Sequence, residues 1–308
     1  TTHGACAALL DADGRLAAPI LDYEHDGPAE RVVAYDALRP SFARTGSPRL
    51  AGGLNVGAQL DWQFHRDPAL MADLWCPREG RYSDLVDKLG LADKMAPVRR
   101  STDVLGPILP QVAAATGLPP ETPVAVGIHD SNASLYPHIL TQEGAFSVVS
   151  TGTWVVAMTV GGGDPDLDPD RDTLVNVDAR GQEVPSARFM GGREYEIIQG
   201  RRPAPASEED SLAALTRKGG EPALGTGLRD AALSFYLAMM TNTCLRLTGA
   251  LGPTIVEGPF ARNAQFMAML ACATGRPVLQ SRSATGTSIG AALLLGRSAA
   301  LVPPDPVA

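Results

Sequence analysis

The stretch Val126-Gly127-Ile128-His129-Asp130-Ser131-Asn132-Ala133 reads as a short apolar strand that hands a carboxylate to the start of a helix. Asp is among the best helix N-caps, so capping is the ordinary role for Asp130. The same placement has a chemical use. Ligands of α/β sheets lie just beyond the carboxyl ends of strands. A carboxylate there can take the proton of a hydroxyl as it attacks phosphorus. Further on, Ser150-Thr151-Gly152-Thr153 joins two apolar runs. A plain hairpin turn explains it. Small hydroxyl residues with a glycine also let backbone N–H groups face phosphate oxygens unobstructed. Glu257-Gly258-Pro259-Phe260-Ala261-Arg262-Asn263 follows a strand and precedes a helix. It is either an ordinary βα loop or a junction offering N–H groups and a positive helix end to a nucleotide. Neither a GxGxxG nor a Walker A pattern occurs, so Rossmann and P-loop readings lack support. Gly290-Ala291-Ala292 makes a thin helix face, suited to close packing of a helix on a strand.

The elements that must position these groups follow from hydrophobic spacing. Asp13-Gly14 predicts a hairpin turn between strands at 5–10 and 16–21. Helices are expected over 30–38, 58–64, 68–74, 82–89 and 108–116, the last stopped by Gly117. A strand over 123–128 leads to a helix over 131–140. Hairpins are expected from 146–149 with 154–159, and from 174–177 with 183–189. The last third alternates: helix 230–247, strand 254–257, helix 262–274, strand 277–280, helix 288–298. Such alternation argues for a mainly parallel sheet.

At 308 residues and 44% hydrophobic, the chain has the material for two domains. Its net charge of -8 comes with no marked Lys/Arg cluster, which argues against a nucleic-acid partner. An acidic chain can still bind ATP, whose charge is neutralised locally by Mg²⁺ and backbone N–H groups. Cys6, Cys76, Cys244 and Cys272 form no CxxC pair; Cys244 and Cys272 read as small core residues. A reducing cytosol suits them. No apolar run reaches the roughly 18–20 residues of a membrane span. His25, His65 and His138 lack metal-ligand spacing and read as surface or satisfied histidines. Asp164, Asp166, Asp168, Asp170 and Asp172 alternate like a calcium loop. Two prolines interrupt them, and the loop's Gly and closing Glu are missing, so a solvated acidic loop is expected. No residue is assigned to a metal.

Taken in order, these pieces resemble the FGGY carbohydrate kinases. The most specific stretch is Thr116-Gly117-Leu118-Pro119-Pro120-Glu121-Thr122-Pro123-Val124-Ala125-Val126-Gly127-Ile128-His129-Asp130, similar to the family's run into its catalytic aspartate. Ser150–Thr153 resembles the loop that holds ATP phosphates. Gly258, Ala261, Arg262 and Asn263 resemble the nucleotide loop, and Gly290-Ala291-Ala292 the C-terminal helix. The resemblance covers nearly the whole chain. It implies an α/β, two-domain actin/hexokinase-like (ribonuclease H-like) ATPase fold with a central cleft. Residues 1–142 would bind sugar, and 143–308 would bind nucleotide.

The implied reaction is ATP- and Mg²⁺-dependent in-line phosphoryl transfer to a sugar hydroxyl, with Asp130 as general base. The implied nucleotide contacts are Ser150, Thr151, Gly152, Thr153, Gly258 and Asn263. The implied sugar contacts are His3, Gly4, His129 and Ser131. Gln59 and Trp62 resemble a helix near the sugar cleft. Within the family the chain looks closest to rhamnulokinases and L-fuculokinases. That implies a ketose or deoxyketose such as L-rhamnulose or L-fuculose, or a related polyol. The expected partner is this small sugar, with no nucleic acid and no membrane, in the cytoplasm; a homodimer stays open. Family members are longer, so an N-terminal segment carrying the first strands, and pieces near 72–73 and 220–227, are expected outside this sequence. The family's opening phosphate motif is not seen here, and Pro259 stands where the nucleotide loop has a second glycine, removing an N–H. These departures keep a second reading open: a catalytically degenerate sugar-binding or regulatory protein.

Overall fold

Short, punctuated elements make up the first half of the chain in a computed structural model, which describes residues 7–22, 25–27, 32–64, 75–88, 92–199, 226–282, 286–296 and 304–306. The chain divides into two units. One comprises Thr1–Tyr136, Val175–Glu183 and Thr287–Ala299; the other comprises Pro137–Leu174, Val184–Gly286 and Ala300–Ala308.

The first unit carries helices α1 (Val32–Leu38), α2 (Phe42–Thr45) and α3 (Val56–Phe64), then strands β1 (Trp75–Cys76) and β2 (Arg81–Tyr82) and helix α4 (Asp84–Lys88). Strand β3 (Val104–Pro107), helix α5 (Pro110–Thr116) and strand β4 (Pro123–Ala125) follow, and helix α6 (Asp130–Thr141) begins in this unit. Helix α5 starts with proline, whose missing N–H costs nothing there. It ends as expected on Gly117 at φ 72, whose N–H bonds to Ala113 O.

Three expectations change here. The strand expected over 123–128 stops at Ala125 and pairs antiparallel with β3 in a two-stranded ribbon. Gly127, at φ 91, turns the chain away before Asp130. Among the described residues the expected N-terminal hairpin keeps one bridge, Leu10 to Leu16, and both leucines are exposed. Of the helix expected over 82–89, Asp84–Lys88 is helical and Tyr82 belongs to β2. The helix expected over 68–74 lies outside the described residues.

The second unit is built on a larger sheet. Its elements are β5 (Phe146–Thr151), β6 (Val155–Val160), β7 (Thr173–Val177), β8 (Glu183–Phe189), α7 (Gly191–Gln199), α8 (Thr226–Leu247), β9 (Thr254–Glu257), α9 (Ala264–Thr274) and β10 (Val278–Gln280), except that Val175–Val177 of β7 and Glu183 of β8 fall in the first unit. Helix α10 (Gly286–Leu293) lies almost wholly in the first unit, and β11 (Asp305–Pro306) closes the sheet. The order is β11-β10-β9-β5-β6-β8-β7.

Strand β9 is parallel to both β5 and β10. The pairs β5–β6, β6–β8 and β10–β11 are antiparallel. The sheet is therefore mixed rather than mainly parallel. The link between β5 and β6 is too short for the crossover a parallel pair requires. All four residues of β9 are buried, as in a strand covered on both faces. Val149, Val155, Ala157 and Val256 pack with Leu237 and Leu245 of α8 and with Phe266, Met267 and Leu270 of α9. Cys244 joins this core, but Cys272 is exposed. It lies on the face of α9 away from Phe266, Met267 and Leu270, which corrects the expectation of two core thiols.

Candidate functional site

Asp130 is the first residue of α6 rather than the cap before it. A negative charge there is favoured by the helix dipole. Its Oδ1 accepts the Ser131 N–H at 2.6 Å and lies 3.1 Å from His129 Nε2. Among the described residues Oδ2 has no hydrogen-bond partner, and the side chain is 47% exposed. The structure thus brings His129, Asp130 and Ser131 together at one helix end. Nearby, Asn132 Oδ1 is buried without a hydrogen-bond partner among the described residues. His3 and Gly4 lie outside the described residues. Gln59 is buried, with Nε2 donating to Gly53 O at 2.7 Å. Trp62 meets His25 edge-on at 5.7 Å. Both have packing roles within the first unit.

Helix α10 braces the start of α6. Thr287 Oγ1 lies 3.5 Å from Asp130 O. A Cβ on Gly290 would stand 1.7 Å from Ala133 O. The carbonyl of Ala133 is exposed to this approach because Pro137, four residues on, has no N–H to give it. Gly290 therefore packs on a helix, not on the strand expected, and Ala292 is exposed.

In the second unit, β5 and β9 run side by side with Ser150 opposite Glu257. Their carboxyl ends carry the two loops singled out in the sequence. Thr151 Oγ1 donates to Glu257 O and accepts the Phe260 N–H at 3.1 Å. Gly258 sits at φ 82, where a Cβ would fall 2.0 Å from Thr151 O. Helix α7 closes in from the other side: a Cβ on Gly192 would lie 1.6 Å from Gly152 O, and the Arg193 N–H bonds to Thr153 O at 3.1 Å. Gly152 and Thr153 remain exposed, and a Cβ built on Gly152 would meet nothing nearer than 4.0 Å, although the Gly152 N–H is already donated to Trp154 O at 2.9 Å.

Pro259 opens the short 3₁₀ turn Pro259–Arg262, a first position that needs no N–H. Asn263 caps α9, with Oδ1 accepting the Phe266 N–H at 3.0 Å and Nδ2 donating to Ser234 Oγ at 3.0 Å. The hydroxyl of Thr151 and the amide of Asn263 are thus spent on building the loops. The side-chain bonds made by these two residues are internal, which the sequence patterns did not reveal.

Behind the turn, Arg188 lies over the Trp154 ring at 4.7 Å. Burial pushes its guanidinium pKa down, and Asp172 opposes that. Under the loop, His138 Nε2 meets Glu257 Oε1 at 2.7 Å, both buried. The sequence reading had set His138 aside and gave Glu257 and Gly192 no role. A glutamate closing a four-residue apolar strand was the available signal.

Turns at the carboxyl ends of parallel strands are where α/β folds take phosphates such as those of ATP. Mg²⁺ keeps mostly waters and phosphate oxygens as ligands. Among the described residues no group of three His, Cys, Asp or Glu side chains is arranged to hold a metal. Among them, too, no helix is long and apolar enough to cross a membrane.

The sequence profile of the carbohydrate kinase FGGY C-terminal domain matches residues 143–220 and 216–303. No curated protein sequence matches the chain. The fold is similar to that of a carbohydrate kinase from Novosphingobium aromaticivorans, with TM-score 0.82 and 33% identity over 99% of this chain and 80% of that one. It is also similar to a xylulose kinase from Rhodospirillum rubrum, with TM-score 0.72 and 18% identity over 94% of this chain and 72% of that one. A Plasmodium falciparum glycerol kinase crystallised with ADP gives TM-score 0.65 and 11% identity over 87% and 68%. The α/β architecture is the two-domain actin/hexokinase-like fold of these structures. The chain belongs to the FGGY carbohydrate kinases, phosphotransferases with an alcohol group as acceptor.

Proposed function

We propose that the chain phosphorylates a ketose or deoxyketose, such as L-rhamnulose or L-fuculose, or a related polyol, with Asp130 as general base. The observation that carries this reading is the half-exposed Asp130 carboxylate, held through Oδ1 at a helix start with Oδ2 unpaired among the described residues. ATP with Mg²⁺ supplies the phosphoryl group and neutralises its developing charge. The rest falls to side chains and backbone. Asp130 Oδ2 accepts the proton of the attacking hydroxyl, and the Ser131 N–H and His129 hold the other oxygen in place. His129 and Ser131, with His3 and Gly4, orient the sugar. The Gly152–Thr153 backbone and the Gly258–Asn263 loop take the nucleotide, with Thr151 and Asn263 acting through the loop shapes they fix. Residues 1–142 form the sugar-binding part and 143–308 the nucleotide-binding part of a cytoplasmic enzyme, and a homodimer is its candidate assembly.

The degenerate-protein reading drew on Pro259 and on the family's opening phosphate motif not being seen. Pro259 occupies a first-turn position where the fold itself needs no N–H, so the loop forms normally around it. The test is ADP release with Mg²⁺-ATP over a panel of ketoses, deoxysugars and polyols. Turnover with a ketose, deoxyketose or polyol supports the proposal. Turnover with other deoxysugars alone rejects the acceptor assigned here. No sugar-dependent release from folded protein favours the binding-protein reading.

A further inference from the structure

Glu257 ends β9 immediately before the nucleotide loop, and it is fixed at both ends. Its carbonyl accepts from Thr151 Oγ1. Its carboxylate Oε1 lies 2.7 Å from His138 Nε2, with the two side chains only 6% and 8% exposed. Ser281 Oγ, just past β10, lies 3.4 Å from the same oxygen. Segments from α6, β5 and the end of β10 therefore converge on one residue. A buried pair of this kind adds little net stability, because desolvation offsets most of its attraction. It does fix a direction. The next residue, Gly258, is conformationally permissive, so its φ of 82 must be imposed by its surroundings.

We propose that His138 is a positioning residue for phosphoryl transfer. Through Glu257 it holds the Gly258–Asn263 loop. Through the Thr151 hydroxyl it holds the Ser150–Thr153 turn at the spacing the nucleotide phosphates require. The proposal rests on the nucleotide site described above and adds a residue that touches neither substrate.

The experiment is calorimetric titration of the whole chain with Mg²⁺-ADP, alongside KM for ATP and for the accepted sugar. His138→Ala is expected to raise both nucleotide constants about tenfold, in line with the steep cost of small misplacements, and to leave the sugar KM unchanged. His138→Gln, whose amide nitrogen can reach the same carboxylate oxygen, is expected to recover most of the loss. If His138→Ala does not fold, Glu257→Gln carries the test: it keeps the side-chain volume and must show the same nucleotide-selective loss. A folded variant in which nucleotide and sugar constants shift together, or neither shifts, overturns the proposal. Wild-type protein that binds no Mg²⁺-ADP overturns the nucleotide site itself, and that result appears before any substitution is made.

Discussion

Gly290→Ala tests how the fold carries Asp130. The added Cβ would stand 1.7 Å from Ala133 O, against the ~3.3 Å at which a carbon can meet a carbonyl oxygen. Backbone opposes backbone, so no rotamer change relieves the clash, and α10 and the first turn of α6 must part by about 1.6 Å. Overpacking of this kind costs about 1–3 kcal/mol. At roughly 2–4 °C per kcal/mol for a chain of this class, Tm should fall by several degrees. Ala133 follows Asp130 by three residues, about 4.5 Å along the helix, so the shift reaches the carboxylate. A displacement near 1 Å at a reacting group costs up to about 10²-fold in kcat. Thermal unfolding and an ADP-coupled rate assay read the two effects. Ser288→Ala, at an exposed position on the same helix, serves as the control. Unchanged Tm and kcat in Gly290→Ala would refute the packing argument. Lowered Tm with unchanged kcat would keep the packing and remove Asp130 from its role.

Other substitutions separate the remaining roles. Asp130→Asn should lower kcat by about 10²–10⁴-fold while leaving Mg²⁺-ADP affinity intact, since it removes the base but touches no nucleotide contact; steady-state kinetics with calorimetry checks this. Thr151→Val strands the buried Phe260 N–H and should destabilise by about 1–3 kcal/mol, whereas Thr151→Ser should stay near wild type in denaturant unfolding. Burial pushes the Cys244 thiol up to about 11 from an ordinary 9.0. A thiol whose folded pKa is raised keeps its full contribution below the unfolded value, so stability should fall as pH climbs from about 9 toward 11. In the folded protein at pH 8, a thiol reagent should label exposed Cys272 and spare Cys244, which peptide mass spectrometry resolves.

The elements set by local pattern were legible in the sequence. Strand 254–257 and the Gly117 cap lie where periodicity and turn chemistry put them. The two-domain α/β fold followed from motif order. Contacts between distant segments were not legible. The use of the Thr151 hydroxyl depends on β5 lying beside β9, which no local window shows. The strand expected into Asp130 is cut short because Gly127 adopts positive φ, a choice glycine permits but does not announce. His138 is a satisfied histidine, one of the two readings the sequence offered, but the absence of metal-ligand spacing could not name Glu257, far along the chain, as its partner.

The glycines carry the same lesson a step further. Glycine in a motif invites the reading that a ligand's phosphate needs the space. At Gly192, Gly258 and Gly290 the space is already taken: a Cβ would fall 1.6, 2.0 and 1.7 Å from the carbonyl oxygens of Gly152, Thr151 and Ala133. These three glycines let elements of the protein approach each other. Gly152 differs, with nothing nearer than 4.0 Å to the site of a Cβ and an exposed backbone. Of the four, only Gly152 leaves room for a ligand. Gly152→Ala should therefore fold normally and weaken nucleotide binding alone, whereas Gly192→Ala and Gly258→Ala should lose stability first. Equal stability losses at all of these positions would erase the distinction between packing glycines and a ligand-facing one.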